Sequence, residues 1–142
     1  MKRLLTLAVL MMLASFVGYS QQQQQPLNAK TTSAYCALTL RKVTVEAELK
    51  EILSENTSEY PGAKIRQFEL DALAQEMNNI LEVAASDLPK LTSGYGTLIL
   101  RKVRLDSEIR VLRLEYTSDY PDLIRKRDEL NLLKEEIAKV RE

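Results

Sequence analysis

Leu38-Thr39-Leu40-Arg41-Lys42-Val43 returns sixty residues later as Leu98-Ile99-Leu100-Arg101-Lys102-Val103. The match extends without a gap from Thr32–Glu82 onto Thr92–Glu142, with 19 of 51 aligned pairs identical and most others like for like. A gapless self-match of this length is an internal duplication, so one structural unit is built twice. Within each copy the apolar residues follow helical spacing. In the second, Tyr95, Leu98, Leu105, Ile109, Leu112 and Tyr116 take the inner positions of a heptad frame, and Leu123, Leu130, Leu133, Ile137 and Val140 continue it after Pro121. The first matches with Tyr35, Leu38, Val45, Leu49 and Ile52, then Ala63, Leu70, Leu73, Met77 and Ile80. No stretch sustains the period-two alternation of a strand. The expected fold is all-α: two tandem antiparallel helical hairpins, closed as a four-helix bundle or open and coiled-coil-like, pairing with another chain.

The tetrapeptide Thr-Ser-x-Tyr occurs at Thr32, Thr57, Thr92 and Thr117, once near each expected helix start. A Ser or Thr there can accept hydrogen bonds from the orphan N–H groups of the first turn. Pro61 and Pro121 fall in the first turn of the second helix of each hairpin, where a missing N–H costs nothing. The accompanying tyrosines read as apolar staples with their hydroxyls at the wet end of a hairpin, or as ligand contacts. The first helix of each copy carries apolar residues beyond its main stripe: Leu40, Val43 and Leu53 in one, Leu100, Val103, Val111 and Leu114 in the other. A second stripe needs a second helix to cover it. Both first helices are therefore expected to be the most buried elements, with Leu38/Leu98 and Leu49/Ile109 central.

Outside the duplication, the chain opens with Lys2 and Arg3, then an uncharged apolar run from Leu4 to Val17, then Gly18-Tyr19-Ser20. This reads as a signal peptide over residues 1–20, cut after Ser20, and the run is short of the ~20 apolar residues of a membrane span. A periplasmic or secreted location follows, with no stable membrane span after cleavage; retention of the segment as an anchor is the alternative. Residues 21–31, which include Gln21 to Gln25 and Pro26, read as a Gln-rich solvated linker. Repeat 1 then occupies residues 32–86 and repeat 2 residues 87–142, with Pro89 marking the break between them.

The 142 residues include 20 basic, 20 acidic, one Cys and no His or Trp. Lack of His removes Ser-His-Asp and Cys-His catalysis and His-ligated metal, and one Cys removes zinc ribbons and intramolecular disulfides. After cleavage the formal charge is −2, which gives no electrostatic reason to expect nucleic acid. No catalytic, cofactor-binding or metal residues are expected, and no enzyme. Glu48/Glu108, Glu55/Glu115, Glu69/Glu129 and Glu76/Glu136 recur in both copies and read as solvated salt-bridging faces. Lys42 and Lys102 are expected to snorkel or to pair with a glutamate, or else to form a paired anion site. Arg125-Lys126-Arg127 is the one dense basic run and a candidate partner-facing patch. Thr31–Lys90 carries a net −4 and Leu91–Glu142 a net +1, so the two hairpins have opposite charge. Cys36, with Gly96 as its counterpart, is either buried or placed for an intermolecular disulfide.

Glu115-Tyr116-Thr117-Ser118-Asp119-Tyr120-Pro121 between two helices resembles the helical-hairpin region of bacterial polysaccharide chain-length determinant proteins. Those carry a similar Thr-x-x-aromatic/His-Pro turn before a Leu-rich coiled coil, and the resemblance covers about forty residues per repeat. This chain departs from them in lacking their two flanking transmembrane helices and in having Arg66 and Lys126 five residues after the proline, where those carry a hydrophobic residue. The resemblance implies an extracytoplasmic coiled-coil part, not membrane-anchored control of polymer length. The expected role is an exported structural or protein-interaction module, accessory to envelope or surface-polysaccharide assembly, working through a protein partner or self-association. The alternative is a small periplasmic chaperone, an analogy of architecture only.

Overall fold

The computed structural model describes residues 28–142. The segment read as a signal peptide and the glutamine run lie outside the described residues. Four α-helices follow: α1 (Ser33–Glu55), α2 (Pro61–Leu81), α3 (Ser93–Glu115) and α4 (Pro121–Arg141). Each boundary of the first hairpin recurs sixty residues later in the second, so the duplicated sequence makes duplicated helices. Among the described residues there is no strand. The protein is an all-α helical bundle.

The helix starts divide into two kinds. Thr32 and Thr92 are N-caps whose hydroxyls accept from the N–H groups of Tyr35 and Tyr95 at 3.3 and 3.2 Å. The other two Thr-Ser-x-Tyr sequences do not cap. Tyr60 and Tyr120 occupy the N-cap positions of α2 and α4 without a side-chain cap bond, and proline supplies the first helical residue. Proline has already removed one orphan N–H, and its fixed φ sets the helix direction without a hydroxyl's help. Thr92→Ala should therefore lower unfolding stability by ~1 kcal/mol, with Thr32→Ala at least as costly because its hydroxyl also donates to the Ala29 carbonyl. Thr57→Ala and Thr117→Ala should change it by no more than a few tenths of a kcal/mol, as for other exposed surface changes. Urea titration of the four variants distinguishes the two classes.

The described end of the expected linker, residues 28–31, packs against the first hairpin. Asn28 opens a 3-10 turn, Ala29–Thr31, with a reciprocal capping box to Thr31. The join between hairpins is a second 3-10 turn, Ala85–Lys90, that includes Pro89 and tucks Leu88 and Leu91 into the core. Lys90 then donates to the carbonyl of Arg141 at 2.7 Å, tying the join to the end of α4.

The packed pairs are α1–α2, α2–α3, α3–α4 and α1–α3, whereas α1 and α4 touch at most marginally. This is the order of a stack of helix pairs, in which the second hairpin rests its first helix in the groove of the preceding one. The bundle is consequently open on the far side of each hairpin. Helices α1 and α3 come into close contact at their N-terminal ends, where Gly96 lies over Ala34 and Ala37. There the Ala34 N–H donates to the Leu91 carbonyl at 3.2 Å.

The stack explains an asymmetry that repeat counting misses. Helix α3 is buried on two faces, with Gly96, Ile99, Val103 and Ser107 toward the first hairpin, and Leu105 and Ile109 in a second cluster with Leu123 and Leu130 of α4. Helix α1 buries only Ala34, Leu38 and Val45. The expectation that both first helices are the most buried holds for α3 and fails for α1. Leu49 is half-buried, while Leu40 and Val43 stand 71% and 58% exposed. The physical reason is position: α3 has a hairpin before it to pack on, and among the described residues α1 has none.

Candidate interaction surface

Charged side chains arrange the hairpins first, because a long helix pair needs register. Arg41 on α1 grips Glu69 on α2, with Nε and Nη2 donating at 2.7 and 3.0 Å. Arg101 repeats the contact on Glu129, its Nε donating at 2.9 Å. A second cross-helix pair also occurs twice: Glu48–Arg66 at 2.7 Å in the first hairpin, Glu108–Lys126 at 2.6 Å in the second. Of the recurring glutamates, Glu48, Glu69, Glu108 and Glu129 are thus hairpin locks. Two of the recurring set are not solvated as expected, since Glu69 and Glu76 are only 3% and 9% exposed. Glu69 accepts three N–H bonds, the third from Arg66 at 2.9 Å, which offsets its desolvation. The hydrogen bond to Glu69 holds the Arg41 guanidinium above its ordinary pKa. Burial pushes the Tyr95 phenol up as well.

Among the described residues one ion pair joins the hairpins to each other. Lys102 of α3 donates to Glu76 of α2, and Asn79 supports the same carboxylate at 3.2 Å. Nearby, the Arg110 guanidinium sits over the Phe68 ring at 5.8 Å, a cation–π contact between the same two helices. The glutamate partner expected for these lysines is present in both repeats, but differently. Lys42 reaches only Glu46, one turn along its own helix at 3.5 Å.

The basic run does not form one patch. Arg125 is turned to solvent and paired with Asp122 at 2.6 Å, Lys126 points inward to Glu108, and Arg127 donates to the Ser118 carbonyl at 3.4 Å. Three consecutive helical residues point about 100° apart, so such a run spreads over the helix circumference. Cys36 is exposed and unpaired, its thiol donating weakly to the Lys30 carbonyl at 3.8 Å. Among the described residues no group of three or more His, Cys, Asp or Glu could hold a metal ion, and no helix is long and apolar enough to cross a membrane.

What stands out is the outer face of α1. Cys36, Leu40, Val43 and Ala47 lie exposed at helical spacing. Thr39 joins them, its hydroxyl bonded back to the Tyr35 carbonyl at 2.9 Å and its methyl left over for packing. Farther along, Leu53 and Leu49 border two hollows, one of about 400 Å³ shared with Leu70 and one of about 270 Å³ shared with Phe68 and Leu114. Such a row can receive a helix or an apolar peptide. Leu132 and Val140 on α4, 64% and 41% exposed, form a second row that heptad reading had placed partly in the core. The comparison Ala72/Leu132 within the duplication was the available signal, because a larger residue at the outer end position has no internal neighbour to fill. No family model, no curated protein and no solved structure matches this chain.

Proposed function

We propose that this chain is an exported helical protein-interaction module whose working surface is the outer face of α1. Residues 1–20 carry it out of the cytoplasm as a cleaved signal peptide, and the hairpin stack then presents Leu40 and Val43 to a partner in the envelope. The observation that carries the reading is that apolar row, exposed along a helix whose sister α3 buries the equivalents of Cys36, Val43 and Ala47 and half-buries that of Leu40. Contiguous apolar rows on a soluble surface are common marks of interaction sites. The likeness of the Tyr-Pro hairpin turns to those of chain-length determinant proteins supports an accessory role in envelope or surface-polysaccharide assembly. A second reading, chaperone-like binding of unfolded clients, is favoured by the hollows beside Leu49 and Leu53, which accept apolar side chains without a defined sequence.

A photo-reactive amino acid in place of Val43, activated in cells that export the protein, separates these readings. One or two sharp adducts, absent when the probe replaces the buried residue Leu105, are the result expected for a docking module. A broad smear of adducts of many masses would replace it with the client-binding reading. No adduct from an exported, folded chain would sink both.

A further inference from the structure

We propose that the partner for the outer face of α1 is a second copy of this chain, docked head to tail through the outer face of its α4. The proposal deepens the interaction-module reading and rests on it. The internal α2–α3 interface shows how one repeat receives the next, and the duplication says which surfaces are the leftover halves. The face that α3 buries against the first hairpin corresponds on α1 to Cys36, Thr39, Val43 and Ala47, all exposed. The α2 row Ala72, Glu76 and Ile80, buried against its neighbours, corresponds on α4 to Leu132, Glu136 and Val140, again all exposed. Among the described residues, one end of the stack therefore has no hairpin packed before it and the other none packed after it. In repeat proteins each unit contacts only its neighbours, and soluble ones close the ends with polar caps. Among the described residues, both ends of this stack instead expose apolar side chains, Val43 at one and Leu132 and Val140 at the other.

Charge supports the same pairing. The inter-hairpin bond Lys102–Glu76 has Lys42 and Glu136 as its counterparts, and each holds only a partner on its own helix, Glu46 and Lys139. The cation–π contact of Arg110 on Phe68 maps onto Lys50 and Asp128, which carry opposite charges and make no ion pair among the described residues. An aromatic partner has thus been exchanged for an acidic one against a retained cation. The close crossing is a place where the seam departs from the internal interface. A Cβ at Gly96 would fall 2.9 Å from the Ala34 Cα. In a head-to-tail contact Cys36 takes the place of Gly96 and Gly94 that of Ala34, and the Gly94 Cα is backbone too, so the two helices stand farther apart there than α1 and α3 do. The seam is more polar than the internal one, with Thr39 for Ile99 and Glu51 for Val111, so association is weaker than internal docking. A repeating head-to-tail contact is heterologous and yields an open filament or a ring of three or more copies, never a closed dimer.

The test uses the protein recovered from exporting cells, with its mass followed by sedimentation over a range of concentrations under reducing conditions. The mass should climb past a dimer. Lys42→Glu or Glu136→Lys alone should raise the concentration for half-association roughly tenfold, and the two together should restore it, as charge pairs at a seam behave. Gly94→Cys adds a geometric readout: on mild oxidation it should give a ladder of disulfide-linked trimers and higher species on a non-reducing gel. Mass that stops at a dimer, or a gel that shows only Cys36–Cys36 dimers, means a face-to-face pair and overturns the proposal. A chain that stays monomeric throughout overturns it too. In that case, sharp adducts at position 43 to a different protein would leave the interaction-module reading standing, whereas their absence would remove both.

Discussion

Replacing Gly96 by valine should undock the second hairpin from the first. The Cβ of any residue at this position falls 2.9 Å from the Cα of Ala34 and 3.4 Å from the Cβ of Ala37. The nearer atom is backbone, in a helix whose first turn is pinned by the Ala34 N–H to Leu91 bond, so it cannot swing aside as a side-chain tip would. Overpacking in a fixed setting costs about 1–3 kcal/mol and sometimes more. Alanine gains up to ~1 kcal/mol of helix propensity over glycine, which leaves Gly96→Ala mildly destabilising. Valine adds two methyl groups and loses that helix advantage, so roughly 3 kcal/mol is expected. The control is supplied by the duplication. Gly94→Ala brings its methyl group no closer than an ordinary contact with the Thr92 hydroxyl, at 3.7 Å, so its expected effect runs from zero to a gain of ~1 kcal/mol. Urea unfolding should show the Gly96→Val midpoint lowered by roughly 1 M or more. The single transition should also broaden or split, because stacked repeats owe their cooperativity to the interface between them. An unchanged midpoint would mean that the crossing is looser than 2.9 Å implies.

The helices, hairpins and turns were legible because each is specified locally. Heptad spacing defines a face, Thr at Thr32 and Thr92 closes a helix start, and Pro61 and Pro121 open one. The sixty-residue self-match carried these local signals from one copy to the other, and the helix boundaries agree with it residue for residue. What could not be read was which copy has neighbours. Val43 and Val103 are the same residue in nearly the same sequence, yet one is 58% exposed and the other 2%. That difference belongs to the order of stacking, which no single repeat encodes. The small clues are the mismatched pairs Thr39/Ile99, Glu51/Val111 and Ala72/Leu132, where the copies have diverged according to environment. The basic run misled for a related reason: density along the chain is not density in space, and the helix sends Arg125, Lys126 and Arg127 to three different neighbours.

Glu69→Ala should cost far more than Glu129→Ala, although the two residues hold the same place in their repeats and bind the same type of arginine. The Glu129 carboxylate is 44% exposed and its partner Arg101 47%. Water replaces that bond readily, and exposed pairs are worth about 0–1 kcal/mol. The Glu69 side chain is 4% exposed and gathers both Arg41 and Arg66. Removing one member of a buried pair typically costs about 3–5 kcal/mol, because the other charge is left desolvated. The full figure is too high here, since Arg41 and Arg66 keep partial access to water and both still reach Glu48, at 3.3 and 2.7 Å. About 2–3 kcal/mol is the expected loss, by the same reasoning with that compensation allowed for. Glu69→Leu separates charge from volume: if the cost lies in stranded cations rather than in an empty space, leucine recovers little of what alanine loses. Salt gives an independent reading, because at ~0.5 M ionic strength the screening length falls to a few ångströms. The small Glu129→Ala effect should fade under those conditions while the Glu69→Ala effect persists. Equal costs for the two variants, or a Glu69 effect that disappears in salt, would mean that burial does not distinguish the locks. The first hairpin would then owe its register to Leu38, Val45 and Leu73 alone.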